Sequence, residues 1–307
     1  MVIYLLKDSE SMNHMNKNRV KKAVIPVAGK GTRFLPATKE IAKEMLPIVN
    51  IPMIYYVVKE AVDSGIEQII FITSTGKHAV ANFFDRNLEL ETFLEKSGKT
   101  EYLDIIRKMG DLIEIITIHQ KEQLGLGHAI NMAGSIINEE DSFAVLLGDE
   151  ILINQNKPVL KQLMEIHHQH GGPVIAAMNV PADHINRYGI ITGTKIAEQT
   201  YQMTDMVEKP KVGSVSSTLA TPGRYILDGK IFEYLKKIPR GSGGEYQLTD
   251  AIKYYLADHP MFAYEFIGER FDTGSIDGYL EATVEFALRD PQYGEIMRKI
   301  IQSKIGK

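Results

Sequence analysis

The stretch VIPVAGKGTRFLPATKEIAKEML, residues 24–46, carries the end of an apolar run into a glycine-containing loop. The loop does not match the dinucleotide-binding pattern G-x-G-x-x-G, because Phe34 occupies the place of the third glycine. It does not match the P-loop pattern G-x-x-x-x-G-K-[S/T] either, because Val24 stands at the first glycine and Gly31 at the hydroxyl residue. Both familiar templates fail, so the loop has to be interpreted from its own residues.

These residues have the composition of an anion-binding site. A strand that ends in Gly29-x-Gly31 lets backbone N–H groups approach an anion without hindrance from a Cβ atom. Pro36 disfavours a helix here, so residues 29–37 are predicted to form an irregular loop. The side chains that could bind phosphate in and behind this loop are Thr32, Arg33, Lys39 and Lys43. They favour a triphosphate or pyrophosphate ligand, although a glycine turn with solvated charges fits the local pattern equally well.

Composition restricts the class of protein. The 307 residues, 44% hydrophobic and 24% charged, suffice for one large α/β domain or two small globular ones. A net charge of −4 gives no basic field for nucleic acid or an anionic membrane. The absence of cysteine excludes a disulfide framework and a thiolate nucleophile, and it agrees with a cytoplasmic protein. No apolar run approaches the roughly 20 residues that cross a bilayer, and residues 1–20 are predicted to be a disordered extension rather than a signal peptide.

Short β-branched runs alternate with helical patterns through the first 180 residues. The runs lie at 22–28, 68–74, 113–120, 143–149 and 173–180, and the helical patterns at 51–64, 77–109 (broken), 127–137 and 157–170. This alternation predicts right-handed βαβ crossovers and a doubly wound α/β fold, with a mostly parallel central sheet flanked by helices. Ligands bind at the carboxyl ends of such strands, where the glycine loop, Gln120 and Asp149 are expected.

The pattern changes after residue 181. Residues 181–275 are predicted to form a smaller, β-rich elaboration, followed by amphipathic C-terminal helices at 276–307 that break at Asp290-Pro291. No linker rich in Gly, Ser or Pro separates the two parts. Residues 21–290 are therefore predicted to form one domain, whose first half is residues 21–180.

Four further polar residues are candidates for chemistry. Asp149 follows a glycine at the tip of an apolar strand, where a carboxylate either holds Mg²⁺ against phosphates or caps a turn. Asp272 follows another apolar strand and is a possible second ligand of the same metal. Glu208 and Lys209 form either a weak surface ion pair or contacts to sugar hydroxyls and a sugar phosphate.

Two histidine-containing segments and the serines offer no covalent catalyst. The HHQH segment, residues 167–170, lacks a carboxylate at the spacing of a zinc helix, so it is predicted to be a solvated helix end. His128 is predicted to position a ligand or cap a helix rather than to act as a base. No serine lies in a G-x-S-x-G nucleophile elbow.

The segment GKGTRFLPATKEIAKEMLPI resembles the signature of the sugar-1-phosphate nucleotidylyltransferases, G-x-G-T-R-x-x-P followed by K-E-M-L-P. Five motifs follow in that family's order: QKEQLGLGHAI, RYGII, MVEKPK, GRYIL and GEYQLTDAI. The resemblance extends from residue 21 to about residue 290. Within the family, the sequence most resembles the bacterial UTP–glucose-1-phosphate uridylyltransferases. Ala42 departs from the usual proline before K-E-M-L-P, and Asn50-Ile51 replaces a common Asp-Lys.

This resemblance implies a Rossmann-like nucleotidyltransferase fold, Mg²⁺ as cofactor, and UTP and α-D-glucose 1-phosphate as substrates. The products would be UDP-glucose and pyrophosphate, formed by direct in-line attack without a general base. By motif, Ala28, Gly29, Gly31, Thr32, Gln120 and Gly125 would bind the nucleotide, Arg33 and Lys43 the triphosphate, Gly189, Glu208 and Gly223 the glucose, Lys209 its phosphate, and Asp149 and Asp272 the metal. Residues 181–275 would then be the sugar-binding half. The resemblance also implies a homodimer or homotetramer.

Three other functions compete with this hypothesis. A glucose-1-phosphate thymidylyltransferase would share the opening loop, although GLGHA and GEYQLTDAI favour UTP. A non-catalytic regulatory subunit would be signalled by loss of Arg33, Lys43, Asp149 or Asp272, and all four are present. A dehydrogenase lacks the fingerprint glycine.

Overall fold

The computed structural model describes residues 19–305. The predicted disordered extension, residues 1–20, falls almost entirely outside the described residues. The strands are β1 Lys22–Pro26, β2 Pro47–Ile48, β3 Ile51–Pro52, β4 Gln68–Thr73, β5 Glu114–His119, β6 Ser142–Leu146, β7 Glu150–Ile153, β8 Val174–Asn179, β9 Gly189–Lys195, β10 Thr200–Glu208, β11 Leu219–Ala220, β12 Arg224–Asp228, β13 Phe262–Glu265 and β14 Glu269–Asp272. The helices are α1 Met53–Ser64, α2 His78–Asn82, α3 Leu88–Lys96, α4 Thr100–Gly110, α5 Leu126–Met132, α6 Val159–His170, α7 Ile231–Leu235, α8 Leu248–Tyr255, α9 Ile276–Arg289 and α10 Gly294–Ile305.

Ten strands form one sheet in the order β11-β9-β10-β13-β8-β12-β6-β1-β4-β5. The neighbours β5, β4, β1 and β6 are parallel, as the βαβ pattern predicts. The prediction of a mostly parallel sheet is wrong for the sheet as a whole, because six of its ten strand pairings are antiparallel. The decisive strand is β12, which inserts antiparallel between β6 and β8. An apolar run has no direction of its own, so the sequence pattern of β12 could not reveal this.

Helices cover both faces of the sheet. Alternate residues of a strand point to opposite faces, and β1 follows this rule. Val24 packs in the cluster that includes α5, α7 and α8, whereas Ala23 and Ile25 pack in the cluster that includes α1 and α6. All three side chains are fully buried. The nearly continuous apolar run of β1 therefore reflects burial on both sides.

A separate two-stranded ribbon carries Asp272, one of the two predicted metal ligands. Strand β7 pairs antiparallel with β14, and Glu150 lies opposite Asp272 in this register. The ribbon contacts α9, so it is held from the C-terminal part of the described chain. The break predicted at Asp290-Pro291 is confirmed, because α9 ends at Arg289 and α10 begins at Gly294.

The HHQH segment at the end of α6 is only partly solvated, which corrects the prediction. His167 is 3% exposed, and its Nδ1 lies 2.8 Å from the carbonyl oxygen of Gly172. His167 is four residues after the buried Leu163 and shares its helix face, which packs on the sheet. His168 is exposed. Within residues 19–305, no helix is both long and apolar enough to cross a membrane.

Candidate active site

A pocket of about 510 Å³ opens at the carboxyl ends of β1 and β5. Six residues predicted to bind a nucleotide or its phosphates line it: Ala28, Gly29, Thr32, Lys43, Gln120 and Gly125. Other lining residues were not predicted, and they include Lys30, Glu44, Gln123 and Glu245. The glycine loop and the segment around Gln120, which are distant in sequence, therefore share one cavity. This follows from the parallel alignment of β1, β4 and β5.

The glycines of the opening loop serve two different geometric needs. Gly31 has φ +63°, and a Cβ atom there would lie 3.1 Å from Lys43 Cβ. Its carbonyl oxygen accepts a hydrogen bond of 2.7 Å from Thr38 Oγ1, which folds the loop back on itself. Gly29 has no heavy atom within 4 Å of an added Cβ, so its backbone faces open space in the pocket.

The wall of the pocket opposite the glycine loop carries two glutamine side chains, and Gln123 connects this wall to the loop. Gln123 Nε2 donates to the carbonyl oxygen of Ala28 at 2.7 Å, and Ser74 Oγ donates to the same oxygen at 3.1 Å. Gln120 is 5% exposed, and its Nε2 lies 2.8 Å from Nδ1 of His128. These contacts hold Gln123 against the end of β1 and Gln120 against α5.

The segment around Gly125 packs tightly on the GEYQLTDAI motif. The Gly127 N–H donates to the carbonyl oxygen of Tyr246 at 2.8 Å, and the Tyr246 N–H donates to that of Leu124 at 2.8 Å. A Cβ at Gly125 would lie 2.7 Å from Glu245 Cβ, and Gly125 has φ +108°. Glycine is therefore required here by a close backbone approach, which places Glu245 at the pocket.

Lys43 connects the pocket to Asp149. Its Nζ lies 2.5 Å from Asp149 Oδ2, and both side chains are largely buried. Burial alone would raise the pKa of Asp149, but the charge and hydrogen bond of Lys43, with a backbone hydrogen bond and Arg33, together lower it. Burial alone would likewise lower the pKa of Lys43, but Asp149 and then Glu44 raise it. Both groups are therefore charged near neutral pH.

Asp272 and Arg33 converge on the same place. A Cβ added to Gly274 would lie 2.6 Å from Asp149 Oδ2 and 3.2 Å from Asp272 Oδ1. Arg33 Nη1 donates to the carbonyl oxygen of Gly274 at 3.3 Å. Thr273, which was not predicted, donates its hydroxyl to the carbonyl oxygen of Asp149 at 2.8 Å. The glycine thus leaves a small space between two carboxylates, with an arginine at its edge.

Two largely buried ion pairs flank the Asp149 and Asp272 carboxylates and Lys43. Glu44 is 1% exposed, and its Oε2 lies 2.9 Å from Lys77 Nζ. Burial raises the pKa of Glu44, although the ammonium groups of Lys77 and Lys43 oppose the change. Arg270 forms a two-pronged hydrogen bond with Glu150 at 2.8 and 2.6 Å, and its Nη2 lies 3.6 Å from Asp272 Oδ2. The side chains flanking the carboxylates are therefore fixed.

The residues predicted to bind a sugar lie together on β9, β10 and the start of β12. Gly189 is paired with Glu208 in the β9–β10 register. A Cβ at Gly189 would lie 2.9 Å from Met206 Cε and 3.0 Å from Thr249 Cγ2. Gly223, at φ +84°, accepts a hydrogen bond of 3.0 Å from the Leu147 N–H. That bond connects the group to the strand end that carries Asp149.

Lys209 has a backbone conformation that sequence reasoning missed. Its φ is +43°, a left-handed conformation that is uncommon outside glycine and asparagine. The Lys209 N–H donates to the carbonyl oxygen of Tyr188 at 2.9 Å, which holds this conformation. Its Nζ lies 3.4 Å from Glu208 Oε1, and the side chain is half-exposed. The ammonium group therefore remains available for a ligand beside Glu208.

Comparison with known proteins agrees with this geometry. Residues 22–288 match the family described as Nucleotidyl transferase. The chain belongs to the nucleotidyl transferase family. It is 46% identical over 284 residues to a UTP–glucose-1-phosphate uridylyltransferase from Staphylococcus haemolyticus, which covers 92% of this chain and 98% of that protein. The family expected from the sequence motifs is confirmed.

Solved structures of the family superpose closely. A UTP-bound UGPase from Acinetobacter baumannii has a TM-score of 0.85 at 39% identity, covering 93% of this chain and 100% of that one. A UDP-glucose pyrophosphorylase complexed with UDP-glucose has a TM-score of 0.81 at 37% identity, covering 89% and 100% of the two chains. A putative glucose-1-phosphate thymidylyltransferase from Bacillus anthracis has a TM-score of 0.67 at 24% identity, covering 90% and 98%, and shares the fold alone. The α/β nucleotidyltransferase fold is thereby established, and the residue roles assigned by motif stay predictions.

Proposed function

We propose that this protein is a UTP–glucose-1-phosphate uridylyltransferase, which forms UDP-glucose and pyrophosphate from UTP and α-D-glucose 1-phosphate. The observation that carries the proposal is the position of Lys43. Its side chain lines the nucleotide-sized pocket and contacts Asp149, so a nucleotide's phosphates would extend from the pocket toward the paired carboxylates. Relatives at 44–46% identity over at least 89% of this chain bear the same activity in their names.

The nucleotide would lie between the opening loop and the segment 120–125. Gln120 and Gly125 would bind the uracil, and Ala28, Gly29, Gly31 and Thr32 would bind the rest of the nucleotide. Arg33 and Lys43 would offset the negative charge of the departing pyrophosphate, which is where fixed charges contribute most to the rate. Residues 21–180 would thus form the nucleotide-binding half.

Glucose 1-phosphate would occupy the group of residues on β9, β10 and the start of β12. Gly189, Glu208 and Gly223 would face the sugar, and the half-exposed Lys209 would bind its phosphate. Residues 181–275 would then form the sugar-binding half. A phosphate oxygen of the sugar attacks the α-phosphorus in line, and the P–O bond to the β-phosphate breaks. The attacking oxygen is already an anion at neutral pH, so alignment and charge neutralisation suffice without a general base.

Asp149 and Asp272 fit a divalent metal. Their oxygens converge on a space that a single added Cβ at Gly274 would fill, and oxygen donors are what Mg²⁺ prefers. Nucleotidyl transferases generally use a divalent metal. Bound Mg²⁺ would hold the nucleotide phosphates and neutralise part of their charge. Within residues 19–305, no cluster of three or more His, Cys, Asp or Glu side chains offers another metal site.

The test is pyrophosphate release from glucose 1-phosphate with Mg²⁺, comparing UTP with dTTP. Strong preference for UTP is the expected result. Equal or better use of dTTP would replace the proposal by a thymidylyltransferase with the same fold. Absence of pyrophosphate with both nucleotides would point to a non-catalytic binding subunit. Placement in the cytoplasm stays a prediction.

A further inference from the structure

The contacts of the Gln120 side-chain amide favour one of its two orientations. Its Nε2 lies 2.8 Å from Nδ1 of His128 and 3.4 Å from the carbonyl oxygen of Gly125. A carbonyl oxygen can only accept hydrogen bonds, so the NH₂ nitrogen is the amide atom that can bond to both partners. An amide oxygen in this place could accept only from the Nδ1–H tautomer of His128, and it would face the Gly125 oxygen and lose that hydrogen bond.

This orientation determines the role of the imidazole. Because the NH₂ group of Gln120 donates to both neighbours, Nδ1 of His128 accepts, and the ring proton of neutral His128 lies on Nε2. His128 is held in the first turn of α5, where the adjacent Gly127 N–H donates to the carbonyl oxygen of Tyr246. The acceptor is therefore fixed in space relative to Gln120.

The remaining amide atom of Gln120 is an acceptor. Both hydrogens of Nε2 point to protein atoms, and no described residue donates to Oε1. Gln120 lines the pocket, so Oε1 is its free polar atom there. Uracil presents an N–H group at N3, whereas cytosine presents an unprotonated nitrogen at that position. An acceptor in a largely buried wall would bind the first base and face a lone pair of the second.

We propose that His128 is a positioning residue for base selection: by accepting from Gln120, it presents an amide oxygen to the pocket and favours bases with N–H at N3 over cytosine. The inference rests on the proposed function, since it requires the nucleotide base to reach Gln120. It assigns His128 no contact with the base and no part in the chemical step. It distinguishes UTP from CTP, but not UTP from dTTP.

Two substitutions at His128 separate orientation from structure. Phenylalanine keeps a ring but cannot accept from Gln120, whereas Oδ1 of asparagine can take the place of Nδ1. We expect His128→Phe to lower the ratio of kcat/KM for UTP to that for CTP by about tenfold, the loss of roughly one oriented hydrogen bond. His128→Asn should keep the wild-type ratio within about threefold, which is the spread of such contributions. The KM for glucose 1-phosphate should remain unchanged in both variants.

The outcomes distinguish this inference from the proposed function. An unchanged UTP-to-CTP ratio in His128→Phe, with wild-type circular dichroism, would overturn the inference while leaving the uridylyltransferase activity in place. An equal fall of the ratio in His128→Asn would also overturn it, because an acceptor would then not be sufficient. If His128→Phe does not fold, His128→Leu, which also lacks an acceptor, takes its place in the same comparison. Wild-type protein that releases no pyrophosphate with any nucleotide would refute the proposed function instead.

Discussion

Lys43 lies between the two parts of the site. It lines the pocket on one side and contacts Asp149 on the other, and burial together with the ion pair holds its ammonium group in one place. The sequence predicted this residue from its charge behind a glycine loop. It could not predict the pairing with Asp149, because that contact requires β1 and β6 to lie side by side.

Substitution of Arg33 tests whether this residue offsets the charge of the departing pyrophosphate. Its side chain is exposed on the loop and donates to the carbonyl oxygen of Gly274 beside the carboxylate pair. We expect Arg33→Ala to lower turnover by about 10² to 10³, the usual effect of removing one well-placed charge at a transition state. The free energy of unfolding should change by less than about 0.5 kcal/mol, since the site is on the surface. Steady-state pyrophosphate release and urea denaturation measure the two quantities.

Lys39 provides the matched control. Like Arg33 it is an exposed cation outside the residues that line the pocket, and the contact of Arg33 to Gly274 beside the carboxylates distinguishes the two. Lys39→Ala should retain turnover within about threefold of wild type if position rather than total charge matters. Wild-type turnover in Arg33→Ala would contradict the role given to the arginine.

At the scale of elements, Arg224 joins β12 to two helices. Its guanidinium group is fully buried and lies 2.9 Å from Glu60 Oε2 on α1. The other oxygen of Glu60 accepts from the Leu160 N–H at the start of α6, at 2.9 Å. Arg224 also donates to the carbonyl oxygens of Leu147 and Glu150, on either side of Asp149. One arginine thus connects two helices on the same face of the sheet to the strand end that carries Asp149.

Replacing Arg224 should destabilise the fold. We expect Arg224→Met to lower the free energy of unfolding by about 3–5 kcal/mol, because the Glu60 carboxylate would remain buried without its partner. Urea denaturation at pH 7 measures this. Adding Glu60→Gln should recover part of the loss, because glutamine removes the charge and keeps an acceptor for Leu160. A double variant as unstable as Arg224→Met alone would show that the unpaired charge is not the cause.

His167, near the end of α6, should make the free energy of unfolding depend on pH. Burial lowers the pKa of His167, although its hydrogen bond to the carbonyl oxygen of Gly172 partly opposes this. The unfolded chain therefore binds a proton at this residue at a higher pH than the folded chain does. Neutral His167 contributes fully to the free energy of unfolding above the unfolded pKa of about 6.5. This contribution is lost as pH falls from there toward the lower folded pKa.

This dependence is measured by urea denaturation between pH 7.5 and about 5. His167→Asn, whose amide can still donate to Gly172, should lose less stability across this range than wild type. His168→Gln alters the exposed neighbour and should behave like wild type. Equal slopes in wild type and His167→Asn would refute the assignment.

At the scale of the whole molecule, the sequence resemblance predicts a homodimer or homotetramer. Light scattering after size-exclusion chromatography should give two or four times the chain mass of 34.5 kDa. A mass of one chain at micromolar concentration would show that the prediction is wrong. Because the measurement does not depend on activity, the oligomeric state of the Arg33→Ala variant can be measured in the same way.

The sequence by itself determined the local features of this protein. The strands β1, β4, β5, β6 and β8 and the glycine loop follow from short-range patterns of burial, turn chemistry and charge, and the ordered motifs identify the family by resemblance. Gly31 and Lys43 could be singled out because a glycine loop followed by a cation is a local pattern, and a Cβ at Gly31 would lie 3.1 Å from Lys43 Cβ.

Only the tertiary structure decided the arrangement of distant segments. The insertion of β12 between β6 and β8, the approach of Asp272 to Asp149, and the packing of Tyr246 against Gly127 each join residues far apart in the chain. Hydrophobic burial does not specify strand direction or partner, so local patterns leave these contacts open. They become fixed when register, close packing and buried ion pairs are satisfied together, which is a property of the whole fold.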